Sequence, residues 1–334
     1  MKATTRILLA ILVCAATLGT AQALTLKIAT LAPAGTDTMK SLQQGADSIA
    51  VKTDGRVKFK FYPGGVMGSE QSVRRKIRIG QLQGGAFSSG GMADVYPDIQ
   101  MLNLPMLFNS FDEVDYVRAR VEPVLKKNLE ARGFVLLGVI EVGFTRILST
   151  DPIDKLATIR NHKLWAPEGD LMAEETYNSM RLSPVFLPIS DVYTGLQTGL
   201  IDIVPTTPTA AIAFQWHSKL AYVTDTPLIY LVGLLAIDKR YFDRIDAADQ
   251  VIVRQEIARV TAALDKSNRS DNLHAVQALK NEGFVFVTPE AREIEHWRQL
   301  ADKSIEHLIE RGALTREGVD LVRHYLQDYR DGSR

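Results

Sequence analysis

The chain has 334 residues, 46% of them hydrophobic, which is enough to bury a large core in one or two domains of ordinary size. Its 39 basic residues balance 39 acidic ones, and no long Lys/Arg block is present, so a nucleic-acid partner is not expected. The densest basic run, Arg74-Arg75-Lys76 with Arg78, reads as the solvated face of a helix, with a docking surface for a partner as the alternative.

Residues 1–23 read as a cleavable signal peptide. Lys2 and Arg6 give a positive start, Ile7 to Leu18 an apolar core, and Ala21-Gln22-Ala23 a small-x-small cleavage site. That apolar run is shorter than the roughly 20 residues needed to span a bilayer. Cleavage would remove Cys14, the single cysteine, so stability in an oxidising compartment would rest on core packing. Val13 is not the small residue that lipid-modification sites place before the cysteine, and no later segment qualifies as a transmembrane helix. The expected protein is exported, periplasmic and not membrane-embedded.

Leu24 to Ala29 alternates like a strand and turns at Pro33-Ala34-Gly35. A helix capped by Thr36 or Asp37 follows, with Met39, Leu42, Ala46 and Ile49 on one face, and stops at Asp54-Gly55. Val57, Phe59 and Phe61 alternate with lysines in a half-buried strand. Ser69 caps a second helix ending near Gly80, and a small-residue strand and loop run from Gly84 to Gly91. This alternation marks an α/β sheet with crossover connections. Asp112 to Leu129 is a helix that leads to the apolar strand starting at Phe134, and that strand delivers Gly143-Phe144-Thr145-Arg146. An arginine at the end of a buried strand, answered by Trp165 and Glu168, is the make-up of a small-ligand cleft.

From Ser149 the pattern restarts, with helices at Asp170–Met180 and Ser190–Thr198, a strand at Leu200–Val204 and a polar turn, Pro205-Thr206-Thr207-Pro208. A further helix carries Phe214 and Trp216, and Leu228 to Ile237 is an unbroken apolar strand. Asp246 to Glu282 contains no Gly or Pro. As one helix it would run about 55 Å, more than the ~30 Å width of a small domain, and so lie across both lobes. The polar patch Ser267 to Asn272 has poor helix propensity and is the place for a bend or break. Phe284 to Val287 gives a short strand, Thr288-Pro289-Glu290 starts a helix, and two helices finish the chain.

Catalytic motifs are missing. There is no phosphate loop, the Gly-Gly pairs lack dinucleotide spacing, and Ser88 and Ser89 lack the glycine flanks of a nucleophile elbow. The six histidines are scattered, and without cysteine a structural zinc site is not expected. On the residues alone an enzyme remains possible, but nothing assembles a nucleophile and a base, and no cofactor or metal is expected.

Four segments carry a family resemblance: Tyr62-Pro63-Gly64-Gly65-Val66-Met67-Gly68-Ser69, Asn103-Leu104-Pro105-Met106-Leu107-Phe108, Lys163-Leu164-Trp165-Ala166-Pro167, and Asp191 through Asp202. In this order they resemble the DctP-type solute-binding proteins of tripartite ATP-independent periplasmic (TRAP) transporters. The resemblance implies an α/β, two-lobed periplasmic-binding-protein-like clamshell with a long helix bridging both lobes. It also implies capture of a small organic acid for delivery to the TRAP membrane permease subunits. The expected division is 24–145 plus 235–270 for lobe I and 146–234 plus 271–334 for lobe II. Hinges are expected near Gly143–Ser149 and Leu231–Ile237, where strands pass between lobes.

The family binds organic acids through arginines. Arg146 matches one of them, in Gly-Phe-Thr-Arg; the position of the other is Trp165, and Thr207 stands where the family loop offers Asn before Pro. An Arg fork meets a carboxylate with two parallel hydrogen bonds, which Trp cannot copy. The expected ligand-binding set is Arg146, Trp165, Glu168, Thr207, Ser88, Ser89, Phe87 and Trp216, with the guanidinium and the indole on facing jaws. Three alternatives stand beside this set. Arg146 pairs internally with Glu141 or Asp170; the solute is an amine or zwitterion held by Trp165 and Glu168; or the protein is a receptor feeding a sensor rather than a permease.

Overall fold

The computed structural model describes residues 23–332; all but the last residue of the expected signal peptide lies outside them. The first lobe opens β1 (Leu24–Thr30), α1 (Asp37–Lys52), β2 (Val57–Tyr62), α2 (Glu70–Arg78), β3 (Gly84–Ser88), α3 (Phe111–Glu130) and β4 (Phe134–Phe144). The helices begin where side chains can cap them. Thr36 Oγ1 accepts from the Met39 amide of α1, and Ser69 Oγ from the Ser72 amide of α2.

After the single residue Thr145 the chain enters β5 (Arg146–Ser149), which belongs to a different sheet. The second lobe continues with α4 (Leu156–Ile159), β6 (Trp165–Pro167), α5 (Leu171–Ser179), β7 (Val185–Leu187), α6 (Val192–Gln197), β8 (Ile203–Thr206), α7 (Pro208–Ala213) and β9 (Tyr222–Thr224). The chain then returns through β10 (Tyr230–Asp238) and α8 (Lys239–Phe242) to α9 (Ala247–Asn281), β11 (Val285–Val287), α10 (Ala291–Glu310) and α11 (Arg316–Arg330).

The first sheet has the order β2-β1-β3-β10-β4, with β10 antiparallel to both neighbours. The second has the order β11-β9-β5-β8, and a bridge between Leu164 and Ile203 joins it to the parallel pair β6-β7. Each sheet is buried on both faces. Leu26, Ile28, Val135 and Leu137 pack on α1 and α9 on one face of the first sheet, and Val139, Val232 and Leu234 on α3 and α11 on the other.

Several sequence expectations move. Arg146 does not end the strand that starts at Phe134; it begins the next one, in the other sheet. The Pro205-Thr206 half of the expected turn is the end of β8, and Thr207 is the cap of α7. The return crossing lies at 225–229, ahead of the expected Leu231–Ile237, because β10 pairs with the first sheet from Tyr230 onward. Val319, Val322 and Leu326 of α11 pack with Val114, Val117 and Val121 of α3. That contact puts the C-terminal helix on the first lobe, where 271–334 was expected on the second.

The long helix is continuous over 35 residues, about 52 Å at 1.5 Å per residue. Val253, Ile257, Val260 and Leu264 are buried on the first lobe, and Leu279 is buried in the second. Each such side chain contributes about 1.5–3 kcal/mol over exposure. The helix lies so close that a β-carbon on Gly45 would stand 2.6 Å from Val260, and one on Gly138 2.5 Å from Thr261.

The Ser267–Asn272 patch does not break the helix, because its polar side chains have partners across the crossing. The Asn268 amide donates to the Glu141 carbonyl, and the Asn272 amide to the Val142 carbonyl at 2.9 Å. Thr209, on the second lobe, donates to Asn272 Oδ1 at 2.8 Å. Residues poor in helix propensity therefore sit where the helix must grip the strand that leaves one lobe for the other.

Candidate functional site

Strand register defines one edge of the first sheet as the crossing edge. Tyr230 pairs with Phe144 and Gly233 with Ser88, so the ends of β3 and β4 and the start of β10 lie together. Arg146 follows two residues after Phe144. Across this edge the lobes touch. A β-carbon on Gly90, just past β3, would fall 2.9 Å from Asp170 Oδ2, on the second lobe.

Two carboxylates from opposite lobes border this contact. Glu70, at the start of α2, accepts from the Ser88 amide at 2.5 Å and from the Ser88 hydroxyl at 2.8 Å. Burial raises its carboxyl above the usual range, against those two hydrogen bonds and the nearby Arg74 charge; Asp170 pushes it in the same direction as burial. Asp170 caps α5, its Oδ1 accepting from the Ala173 amide at 3.0 Å. Burial raises it too, in spite of backbone N–H donors from Ala173 and Met172. Tyr177, two turns further along α5, is raised by burial and by the Asp170 charge. Among the described residues neither Glu70 nor Asp170 forms an ion pair. A hollow of about 10 Å³, the size of one water, lies between Glu70, Phe87 and the Gly65–Gly68 turn.

The guanidinium of Arg146 is one-quarter exposed and donates through Nε to Asp225 Oδ1 at 3.0 Å. Asp225 opens the return crossing, so this ion pair ties the outgoing strand to the incoming one. It replaces the partners expected for an internal pair. Glu141 is fully buried and taken by Arg269, with Tyr230 donating to Oε2 at 2.9 Å, while Asp170 is a helix cap. Only Nε of Arg146 is used, so the terminal Nη pair carries no bond to the protein among the described residues.

The remaining expected residues fall into separate places. Ser89 is buried and donates to Asn103 Oδ1 at 2.7 Å, which leaves Asn103 Nδ2 buried without a partner beside the contact. Thr226 Oγ1, in the return crossing, is likewise unpaired. Thr207 is fully buried; its hydroxyl accepts from the Ala210 amide at 3.2 Å, and its neighbour Thr206 is the strand partner of Arg146. Phe87 lies in the first-lobe core. Glu168 is exposed, its own amide bonded to the Leu187 carbonyl.

Trp165 and Trp216 come together rather than standing alone. Their rings meet edge to face at 5.6 Å, Phe214 stacks on Trp216 at 5.0 Å, and the Trp165 indole N–H donates to the Leu187 carbonyl at 3.0 Å. Both indoles are at least nine-tenths buried in the second-lobe core. Arg146 and Trp165 therefore sit on one lobe, not on facing jaws as expected. The carboxylate of Glu70 and the amide of Asn103 are among the polar groups that the first lobe brings to the contact. No sequence spacing pointed to either, although Asn103 lay inside a motif already singled out for the resemblance.

Residues 28–311 match the family model described as DctP, bacterial extracellular solute-binding protein, family 7. The sialic acid-binding periplasmic protein SiaP of Vibrio cholerae is 24% identical over 304 residues, 87% of this chain and 91% of that protein. The C4-dicarboxylate-binding periplasmic protein DctP of Rhodobacter capsulatus is 21% identical over 262 residues, 78% of each. Among solved structures, the sugar acid binding protein DctPAm of Advenella mimigardefordensis with galactonate superposes with a TM-score of 0.84 at 20% identity. That match covers 92% of this chain and 99% of the other.

Proposed function

The chain belongs to the DctP family of bacterial extracellular solute-binding proteins, a non-enzymatic transport component, and from that premise we propose that it captures a small organic acid between its lobes and delivers it to the membrane permease of a TRAP transporter. The observation that carries the proposal is the unspent Nη pair of Arg146 at the lobe crossing, held in orientation by Asp225 through Nε. A planar fork fixed in this way is the geometry that donates to both oxygens of one carboxylate. Glu70 and Asp170 then accept from hydroxyl or amino donors on the rest of the solute.

Magnitudes require the lobes to take part. A charge-assisted hydrogen bond contributes about 1.5–3 kcal/mol net, and micromolar capture needs about 8 kcal/mol. The difference comes from closing both lobes over the solute and removing its water. The two crossings, at Thr145 and at 225–229, are the hinges of that movement. Among the described residues no helix is long and apolar enough to cross a membrane, so delivery requires a separate permease. The relatives named for C4-dicarboxylates and sialic acid, and the neighbour holding galactonate, support an acid as the solute class.

A second reading rests on the two desolvated carboxylates. With no ion pair among the described residues, they favour a solute that also carries an ammonium group, so a zwitterion is the runner-up. A thermal-shift panel of hydroxy acids, amino acids and amines separates the two. Stabilisation by acids, lost in Arg146→Gln, is the expected result; stabilisation by amines alone overturns the acid. Permease genes beside this one would favour transport over a sensor receptor.

A further inference from the structure

A second hollow lies on the first lobe, at the edge of the sheet opposite the lobe crossing. Asp238 at the end of β10 pairs with Phe134 at the start of β4, and Ile237 with Gly84 at the start of β3. These are the strand ends furthest from Ser88 and Phe144. The hollow measures about 770 Å³, within the range of small-molecule sites, and Phe134, Asp238 and the C-terminal half of α2 form its walls.

Its charge is one-sided. Six cationic side chains line it: Arg74, Arg75 and Arg78 from α2, Arg132 beyond α3, and Lys239 and Arg240 from α8. The three carboxylates of the wall are already taken. Asp94 pairs with Arg74, Asp238 with Arg240 at 2.7 Å, and Asp243 with Lys239 at 2.7 Å. Three guanidiniums remain with no acidic partner among the described residues. Arg75 donates only to Ser72 Oγ; Arg132 donates to the Asn128 carbonyl and lies over the Tyr96 ring; the Arg78 side chain makes no hydrogen bond. Three like charges around one concavity repel each other, and an anion carrying two or more charges relieves that repulsion.

We propose that this hollow is an anion site for a multiply charged phosphate group, separate from the solute cleft. Guanidinium forks match the oxygens of phosphate, and the cavity admits more than a bare ion. The same chemistry is offered by a free phosphate compound and by an anionic lipid headgroup at the membrane where a permease would sit.

The test uses the full mature chain with inorganic pyrophosphate, followed by calorimetry at low ionic strength. Vesicles containing phosphatidic acid, whose phosphomonoester can carry two charges, with phosphatidylcholine as control, form the second arm. The expected result is one pyrophosphate per chain or retention on phosphatidic acid vesicles alone, weakened at least tenfold in the double variant Arg75→Gln, Arg78→Gln and unchanged in Arg146→Gln. Binding to pyrophosphate alone assigns a soluble anion, and binding to the vesicles alone assigns a headgroup. Both exchanged arginines are exposed and lack an acidic partner, so melting of the double variant should match the parent, and a loss of folding would be visible there. If melting does not match, Arg78→Gln alone is measured in the same way. The proposal is overturned if neither probe binds, if the arginine variants bind as well as the parent, or if Arg146→Gln removes the binding.

Discussion

Asp170 Oδ2 stands 2.9 Å from the place a β-carbon on Gly90 would occupy, although the two residues belong to different lobes and lie 80 positions apart. The carboxylate has little freedom to retreat, because its other oxygen caps α5. Gly90→Val should therefore hold the lobes apart or cost the cap, about 1 kcal/mol. We expect affinity for the solute recovered from the purified protein to fall at least about fivefold by calorimetry, with ligand-free melting nearly unchanged. Unchanged affinity would show that the closed, solute-bound form does not need this contact.

Arg146→Gln removes the fork while leaving a side chain of similar length. The ion pair to Asp225 is partly exposed, so its loss should change stability by less than about 1 kcal/mol. Binding of an acid should weaken by tenfold to about 150-fold, the equivalent of about 1.5–3 kcal/mol. Chemical denaturation and calorimetry on one preparation separate the two effects.

Glu141 lies fully buried at the end of β4, with Arg269 of α9 supplying its counter-charge and Tyr230 a hydrogen bond. Arg269→Ala leaves that carboxylate uncompensated and should cost about 3–5 kcal/mol in urea unfolding. Arg254→Ala, also on α9, breaks an exposed pair with Glu130 of α3 and should cost no more than about 1 kcal/mol. Equal costs would contradict the role given to the buried pair.

Glu70 and Asp170 have folded-state pKa values raised by burial, so the folded state holds their protons at pH values where the unfolded chain has released them. The sign follows directly. Their contribution is fully present below the ordinary carboxyl range, about pH 4, and is lost as pH rises through the raised values. Glu256, held down near about 2 by Lys52, Ser48 and Arg259, acts oppositely and is lost only in strong acid. Glu70→Gln should therefore flatten the fall in stability above about pH 4 and leave the acid limb as it was. A slope identical to the parent's would show that Glu70 titrates as it does in the unfolded chain.

Much of the scaffold was legible because it rests on local chemistry. Thr36 and Ser69 cap the helices expected of them, and the absence of Gly and Pro between Asp246 and Glu282 foretold one long helix. What stayed hidden depends on residues far apart in sequence. No Gly or Pro stands between Phe144 and Ile147, so nothing local says that the chain changes sheets at Thr145. Propensity marked Ser267–Asn272 as a breaker, whereas Glu141 and Val142, some 130 residues away, satisfy the patch. Asp170 was visible as the start of a helix, but its approach to Gly90 was not. Trp165 was singled out by motif position, and its indole lies packed on Trp216 with its N–H already bonded.

The central claim is that two lobes close over one acid solute with Arg146 at the crossing. Small-angle scattering tests it most directly, on mature protein stripped of bound solute by partial unfolding and then saturated with the molecule identified in the stripped fraction. The radius of gyration should fall on saturation in the parent and stay constant in Arg146→Gln at the same concentration. A curve that does not change, where calorimetry reports the parent fully occupied, would contradict a closing receptor.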